Sequence, residues 1–152
     1  MPKVILGPAT HDPDPTHPVL GAGIGPYSYH LLGEAGGLTQ FGAHLEILPP
    51  GSRSGFRHWH EAEDEMVYML AGEVVLIEDT EVPLRVGEAA CWPAGLAVGH
   101  CLENRSDHDA MYLVVGTRGK IDRIHYPDHG LVTDKDGPER RYSRRERPER
   151  PD

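Results

Sequence analysis

The sequence predicts one all-β domain, an antiparallel β-sandwich or small barrel, and three observations carry that prediction. Apolar runs are short, about five or six residues, and recur at nearly even spacing between turn-forming residues. Gly 18 and Pro 14 in 152 residues supply those turns while staying below the content of a disordered chain. No stretch carries the apolar period of an amphipathic helix.

Residues 1–26 read as an irregular N-terminal arm, because GPATHDPDPTHPVLGAGIGP holds too much Pro and Gly for a helix or a central strand. The barrel is expected over 27–118. Tyr27 to Leu32 is its first strand, ended by GEAGG. Leu38 to Leu48 alternates, with Phe41, Ala43, Leu45 and Ile47 on one face and His44 and Glu46 on the other. Pro49-Pro50-Gly51 closes it. Strands then follow at Phe56 to His60, Glu65 to Leu70, Glu73 to Glu78, Val82 to Val86, Ala89 to Trp92, Val98 to Glu103 and Ala110 to Gly116, each bounded by Gly, Pro, Asp or Asn. Residues 119–152 read as a C-terminal extension. From Asp134 it mixes Arg with Asp and Glu without an apolar face, so this tail is expected to be solvated or disordered.

Composition limits the function. A formal charge of −9 disfavours nucleic acid or an anionic membrane as partner. No apolar run approaches the ~20 residues of a membrane span. The first residues, MPKVILGPATHDPDP, do not read as a secretory signal, and Cys91 and Cys101 suit reduced thiols, so the cytoplasm is the expected location. A barrel with exposed sheet edges and two coreless terminal segments is expected to pair as a homodimer. No phosphate-cradling Gly loop, nucleophile elbow or Cys-x-x-Cys is present, so nucleotide hydrolysis and serine-type acyl transfer find no support.

The chemistry concentrates in Pro49 to Gly72. On a strand, His58 and His60 share a face while Trp59 points away. Glu65 follows five residues later, and His100 sits in GHCLEN. Three imidazoles and a carboxylate suit a divalent metal (Fe, Zn, Mn or Ni) and leave coordination sites open. Glu65 can serve as ligand or, off the metal, as a general base. Strand parity assigns Phe41, Ala43, Leu45, Ile47, Val67, Met69 and Leu102 to the interior, where core packing is the first expectation for each and an apolar wall beside a metal is also what a small-molecule pocket looks like. Gln40, Tyr68, Trp92 and Tyr112 could donate hydrogen bonds, though parity does not place them inside. Cys101 points away from its neighbour His100. His125, Asp128 and His129 read as a solvated turn rather than a second metal site.

These motifs resemble the cupin superfamily. His58-x-His60, four residues, Glu65, six residues and Gly72 match the spacing of its first motif, with Ser52 where a glycine is usual and Gly51 one residue earlier. Gly87, Pro93, Gly95, His100 and Asn104 match the second, with two extra residues in the turn before His100. The runs GGLTQFGAHL, RHWHEAEDEMVYMLAGEV, GHCLENRSD, YLVVGTR and HYPD look like a group of small bacterial single-domain cupins. The resemblance implies a jelly-roll barrel with one metal at its inner mouth, held by His58, His60, Glu65 and His100. It implies a metal-dependent enzyme acting on a small molecule, either an oxygenase or a metal-assisted isomerase or lyase. A non-catalytic ligand-binding or sensory module is the alternative, favoured by the lack of a clear acid/base pair beyond the ligands. A storage or structural protein fits least.

Overall fold

The computed structural model describes residues 3–145. Its elements in chain order are β1 (Thr10–Asp12), β2 (Tyr27–His30), the four-residue helix α1 (Leu32–Ala35), β3 (Phe41–Leu48), β4 (Trp59–His60), β5 (Glu65–Ala71), β6 (Glu73–Ile77), β7 (Glu81–Arg85) and β8 (Ala89–Trp92). β9 (Cys101–Glu103), β10 (Ala110–Thr117), β11 (Ile121–Tyr126), a 3-10 turn at Pro127–His129, β12 (Leu131–Asp136) and β13 (Glu139–Arg144) complete it. All strand pairs are antiparallel. They form a six-stranded sheet β1-β2-β3-β10-β5-β8, a four-stranded sheet β13-β12-β11-β4 and a three-stranded sheet β7-β6-β9. The all-β jelly-roll expectation holds. Among the described residues, no helix is long and apolar enough to cross a membrane.

The core lies between the six-stranded and three-stranded sheets. Leu48, Val67, Met69, Trp92, Ala110 and Tyr112 come from the first, and Val74, Leu76, Leu84 and Leu102 from the second. Period-2 alternation sends these residues inward from each strand. Gly72 makes the β5–β6 turn with φ of 71°, and a Cβ there would stand 2.6 Å from the Asp109 carbonyl oxygen. Only glycine combines that left-handed backbone with that approach. Asn104, fully buried, donates its amide to the Leu48 and His108 carbonyls at 2.7 Å and accepts from Ser106, pinning the loop between β9 and β10.

Both terminal segments carry structure that local sequence did not reveal. β1 adds to the edge of the large sheet, and the following irregular residues lie across the barrel, where the Arg53 N–H donates to the Ile24 carbonyl at 2.6 Å. In the C-terminal segment, β11, β12 and β13 build a sheet that reaches the main barrel through β4. The tail expected to be solvated or disordered forms β13 as far as Arg144, exposed at every residue, and residues 146–152 lie outside the described residues. Its strand character comes from cross-strand pairing with β12 around the Gly137-Pro138 turn, not from an apolar face.

Candidate metal centre

Four side chains meet at one end of the barrel. β5 projects Glu65 inward. β4 carries His60, and His58 sits just before it, held by a backbone bridge to His100 in which each N–H donates to the other residue's carbonyl (3.3 and 3.1 Å). This bridge places His100 beside His58 despite the longer turn before it. Glu65 Oε1 is 3.1 Å from His100 Nε2, and Oε2 is 3.4 Å from His60 Nε2 and 3.8 Å from His58 Nε2. The ligand atoms of His58, Glu65 and His100 thus converge, while His60 adjoins them through Glu65 and also groups with Glu63 and Asp122.

The opposite nitrogen of each ring decides what these four can hold. His58 Nδ1 is 2.8 Å from the Phe56 carbonyl, and His100 Nδ1 is 3.1 Å from the Val98 carbonyl. His60 Nδ1 is 2.6 Å from Asp122 Oδ2. Carbonyls and carboxylates only accept, so each Nδ1 carries the proton and each neutral ring turns a bare Nε2 lone pair toward Glu65. Three lone pairs and a carboxylate repel unless a cation lies among them. Protons can play that part, and so can a divalent metal, for which this is the usual arrangement of oriented imidazoles. The donor set fits a metal with N and O preference.

Protonation without a metal follows from the same contacts. Burial pulls His60 down, but its hydrogen bonds to Glu65 and Asp122 outweigh burial and raise it to about 9. Burial would raise Glu65, yet hydrogen bonds from His100, His58 and His60 hold it far below the usual carboxylate range. The His100 ring stacks on Trp92 with centroids 3.7 Å apart and planes 6° from parallel, and Trp92 Nε1 donates to Glu78 Oε1 at 2.8 Å. This stack holds the plane of the His100 ring.

Asp122 could not be found from local sequence. Its side chain has no exposure; Oδ2 orients His60, and Oδ1 accepts the Ala62 N–H at 2.8 Å. It lies on β11, within the segment read as an extension beyond the barrel. His125 on the same strand is also buried, stacked on Trp59 at 4.1 Å and bonded to Glu61 at 2.7 Å, so the expected solvated turn is corrected there. Asp128 instead pairs with Arg57 at 3.3 Å, and His129 packs edge-on to Phe56. The buried residues of β11 are polar, Asp122 and His125, and fall three apart, so the strand shows no period-2 apolar pattern. The turn at Asp136-Gly137, between two pairable segments, was the one available signal.

A cavity of about 170 Å³ opens from His58, Glu65 and His100 into the barrel. Val67 and Leu102 line it, while Met69 is fully buried in the core and away from it. The expectation that Phe41, Ala43 and Leu45 line the interior is reversed. On β3 the inward residues are His44 and Glu46, facing Val114 and Tyr112 of β10. Phe41 is 43% exposed and borders an outer groove with Met66, Cys91 and Val115, and Ala43 backs onto Gly33 of α1. Polar groups win the inner face because they satisfy one another. The Tyr112 hydroxyl donates to Glu46 Oε2 at 2.5 Å, and His44 Nε2 is 3.2 Å from Glu46 Oε1. Burial, then Glu46, keeps the Tyr112 phenol protonated well above its ordinary range. Trp92 and Tyr112 thus line the cavity, whereas Tyr68 is exposed and Gln40 lies on the surface.

A family model described as a cupin domain matches residues 44–116. Among solved structures, a sugar phosphate isomerase from a cupin superfamily, from Silicibacter pomeroyi, is 37% identical with a TM-score of 0.83, covering 90% of this chain and 88% of that one. A candidate sugar phosphate isomerase from Acidithiobacillus ferrooxidans is 28% identical with a TM-score of 0.76, covering 78% and 76%. A predicted oxalate decarboxylase from Thermotoga maritima is 31% identical with a TM-score of 0.53, covering 61% and 81%. No curated protein matches the chain.

Proposed function

Because the chain belongs to the cupin superfamily, we propose that it is a metal-dependent enzyme that isomerises a small hydroxy-carbonyl compound of the sugar phosphate class. One observation carries this reading: a proton-transfer group, His44–Glu46–Tyr112, lines the same cavity as His58, Glu65 and His100. A pure binding module has no need of such a group. The similarity to a sugar phosphate isomerase over most of both chains favours isomerisation over oxygenation.

In this reading His58, His60, Glu65 and His100 hold one divalent ion. When bound, the ion supplies Lewis acidity that polarises a carbonyl oxygen. The chain's own residues handle the proton. Tyr112 holds Glu46 by its Oε2, leaving Oε1, beside His44, to receive a proton from the carbon next to the carbonyl. That proton returns to the former carbonyl carbon while the hydroxyl proton passes from one oxygen to the other, so atoms balance. Val67, Leu102 and Trp92 keep this end of the cavity apolar and limit water.

The same reading places the protein in the cytoplasm, which suits its two free thiols, one of them exposed. It also makes the protein a homodimer. The outer groove of about 440 Å³ bordered by Phe41, Met66, Pro93 and Val115 offers an apolar face for a second copy.

The test begins with metal content per chain of protein purified without a His tag. Proton exchange into sugar phosphates is then followed by NMR in D2O, with oxygen uptake measured in parallel. Expected are one divalent ion per chain, solvent deuterium in the product and no oxygen consumption. Glu46→Gln should slow exchange by roughly 100-fold or more while leaving the metal in place. Oxygen consumption without isomerisation would overturn the reading in favour of an oxygenase, and ligand binding without turnover in favour of a sensory module.

A further inference from the structure

A second opening meets the metal centre from the side of the C-terminal sheet. It is a cavity of about 260 Å³, and it shares His44, Glu65 and Val114 with the inner cavity, so the two adjoin. Its outer rim is made by Glu63, Thr117, Arg118 and Lys135. The floor is made by Gly42 and Gly116, which lie directly opposite each other across β3 and β10. Both face the interior by strand parity, where any other residue would fill the passage. A Cβ on Gly42 would stand 3.3 Å from Arg118 Nε, and one on Gly116 would stand 3.3 Å from the Asp64 carbonyl oxygen.

Two cations stand at the rim, each beside a carboxylate that lies at or next to the opening. Lys135 reaches in from β12 with its side chain only 15% exposed, paired with Glu63. Arg118 comes from the segment after β10 and pairs with Glu34 of α1. Each carboxylate occupies one donor, whereas an ammonium has three and a guanidinium five. Thr117 Oγ1 accepts the Asp64 N–H at 3.1 Å, which leaves its hydroxyl proton free to donate. Two cations on separate elements and a hydroxyl, beside two facing glycines, offer donors from three directions, as the oxygens of a tetrahedral dianion can use.

We propose that Thr117, Arg118 and Lys135 form a phosphate-binding mouth, which seats the phosphate of the substrate while its carbonyl end reaches the metal centre past His44. This rests on the isomerase reading above and adds to it where the phosphate sits. It also explains the two terminal pieces of the chain. The mouth needs Lys135 from the C-terminal sheet and Glu34 from α1, neither of which belongs to the matched cupin core of residues 44–116.

The experiment titrates inorganic phosphate into the full chain as purified, by calorimetry, with metal content measured on the same sample. One saturable site is expected, weakened at least about tenfold by Arg118→Gln and by Lys135→Met, with metal content unchanged. A second series compares glucose 6-phosphate, glucose and glucuronate as inhibitors of phosphate binding. Only the phosphate ester should compete strongly, and glucuronate competing as well would overturn the phosphate assignment in favour of a carboxylate. Phosphate binding unaltered in both variants, or no saturable binding, would overturn the mouth itself. The exposed Arg118 variant keeps the test decisive if Lys135→Met does not fold. Failure of the metal reading shows separately, as protein without metal whose phosphate binding still depends on Arg118.

Discussion

Replacing Asp122 by Asn tests whether His60 is held as a ligand by a residue more than sixty positions away. The carboxylate has no exposure and serves two donors, His60 Nδ1 at 2.6 Å and the Ala62 N–H at 2.8 Å. An amide has one accepting oxygen, so it can serve only one of them. If the oxygen stays on Ala62, the NH2 group faces His60 Nδ1, which must then present its lone pair, and the ring proton moves to Nε2. A protonated Nε2 cannot donate to a metal. If the amide turns the other way, its NH2 meets the Ala62 N–H and one buried donor is orphaned, at a cost of about 1–3 kcal/mol in stability. Loss of such an orienting partner lowers metal affinity by ~10- to 100-fold, or about 1.4–2.7 kcal/mol. The first outcome belongs at the upper end, because it removes His60 as a ligand altogether. Competition against a chromophoric chelator reads the affinity, and urea unfolding of the metal-free protein reads the stability. A variant that folds normally and binds metal within about twofold of wild type would refute the reasoning.

pH should act oppositely on the two forms of the protein. In the metal-free chain His60 is raised from 6.5 to about 9, so folding takes up a proton; the stabilisation is complete below pH about 6.5 and lost as pH rises through about 9. The shift corresponds to ~3 kcal/mol at most, measurable by urea unfolding across that range. With metal bound the trend should reverse, since protons compete with the ion for Nε2, and affinity should fall below about pH 6. Gly72→Ala should destabilise by about 1–3 kcal/mol, because a left-handed residue would gain a Cβ 2.6 Å from the Asp109 carbonyl oxygen; an unchanged thermal midpoint would contradict this. Tyr112→Phe removes the donor to Glu46 Oε2, and should cost about 1–2 kcal/mol in stability and slow proton exchange in D2O without changing metal content.

The residues that local rules govern were legible in the chain itself. His58 and His60 share a face because strand side chains alternate, and Glu65 begins the next strand with Val67 and Met69 on its inner side. Gly72 marks its turn because only glycine accepts that backbone. The antiparallel class followed from short strands and frequent turns. What local pattern could not decide was which face of a strand is the inside. β3 has an apolar face and a face bearing His44 and Glu46, and burial rules turn the apolar face inward. The tertiary structure turns the other one inward, because Tyr112 of β10 supplies the hydrogen bond that makes the buried carboxylate tolerable. Asp122 and Lys135 lay beyond reach for a related reason. Their strands look like charged, turn-rich sequence, and they become part of the site only when β11 pairs with β4 and β12 with β11. Periodicity is a property of neighbours along the chain, whereas the value of a buried charge depends on partners that only folding brings within reach.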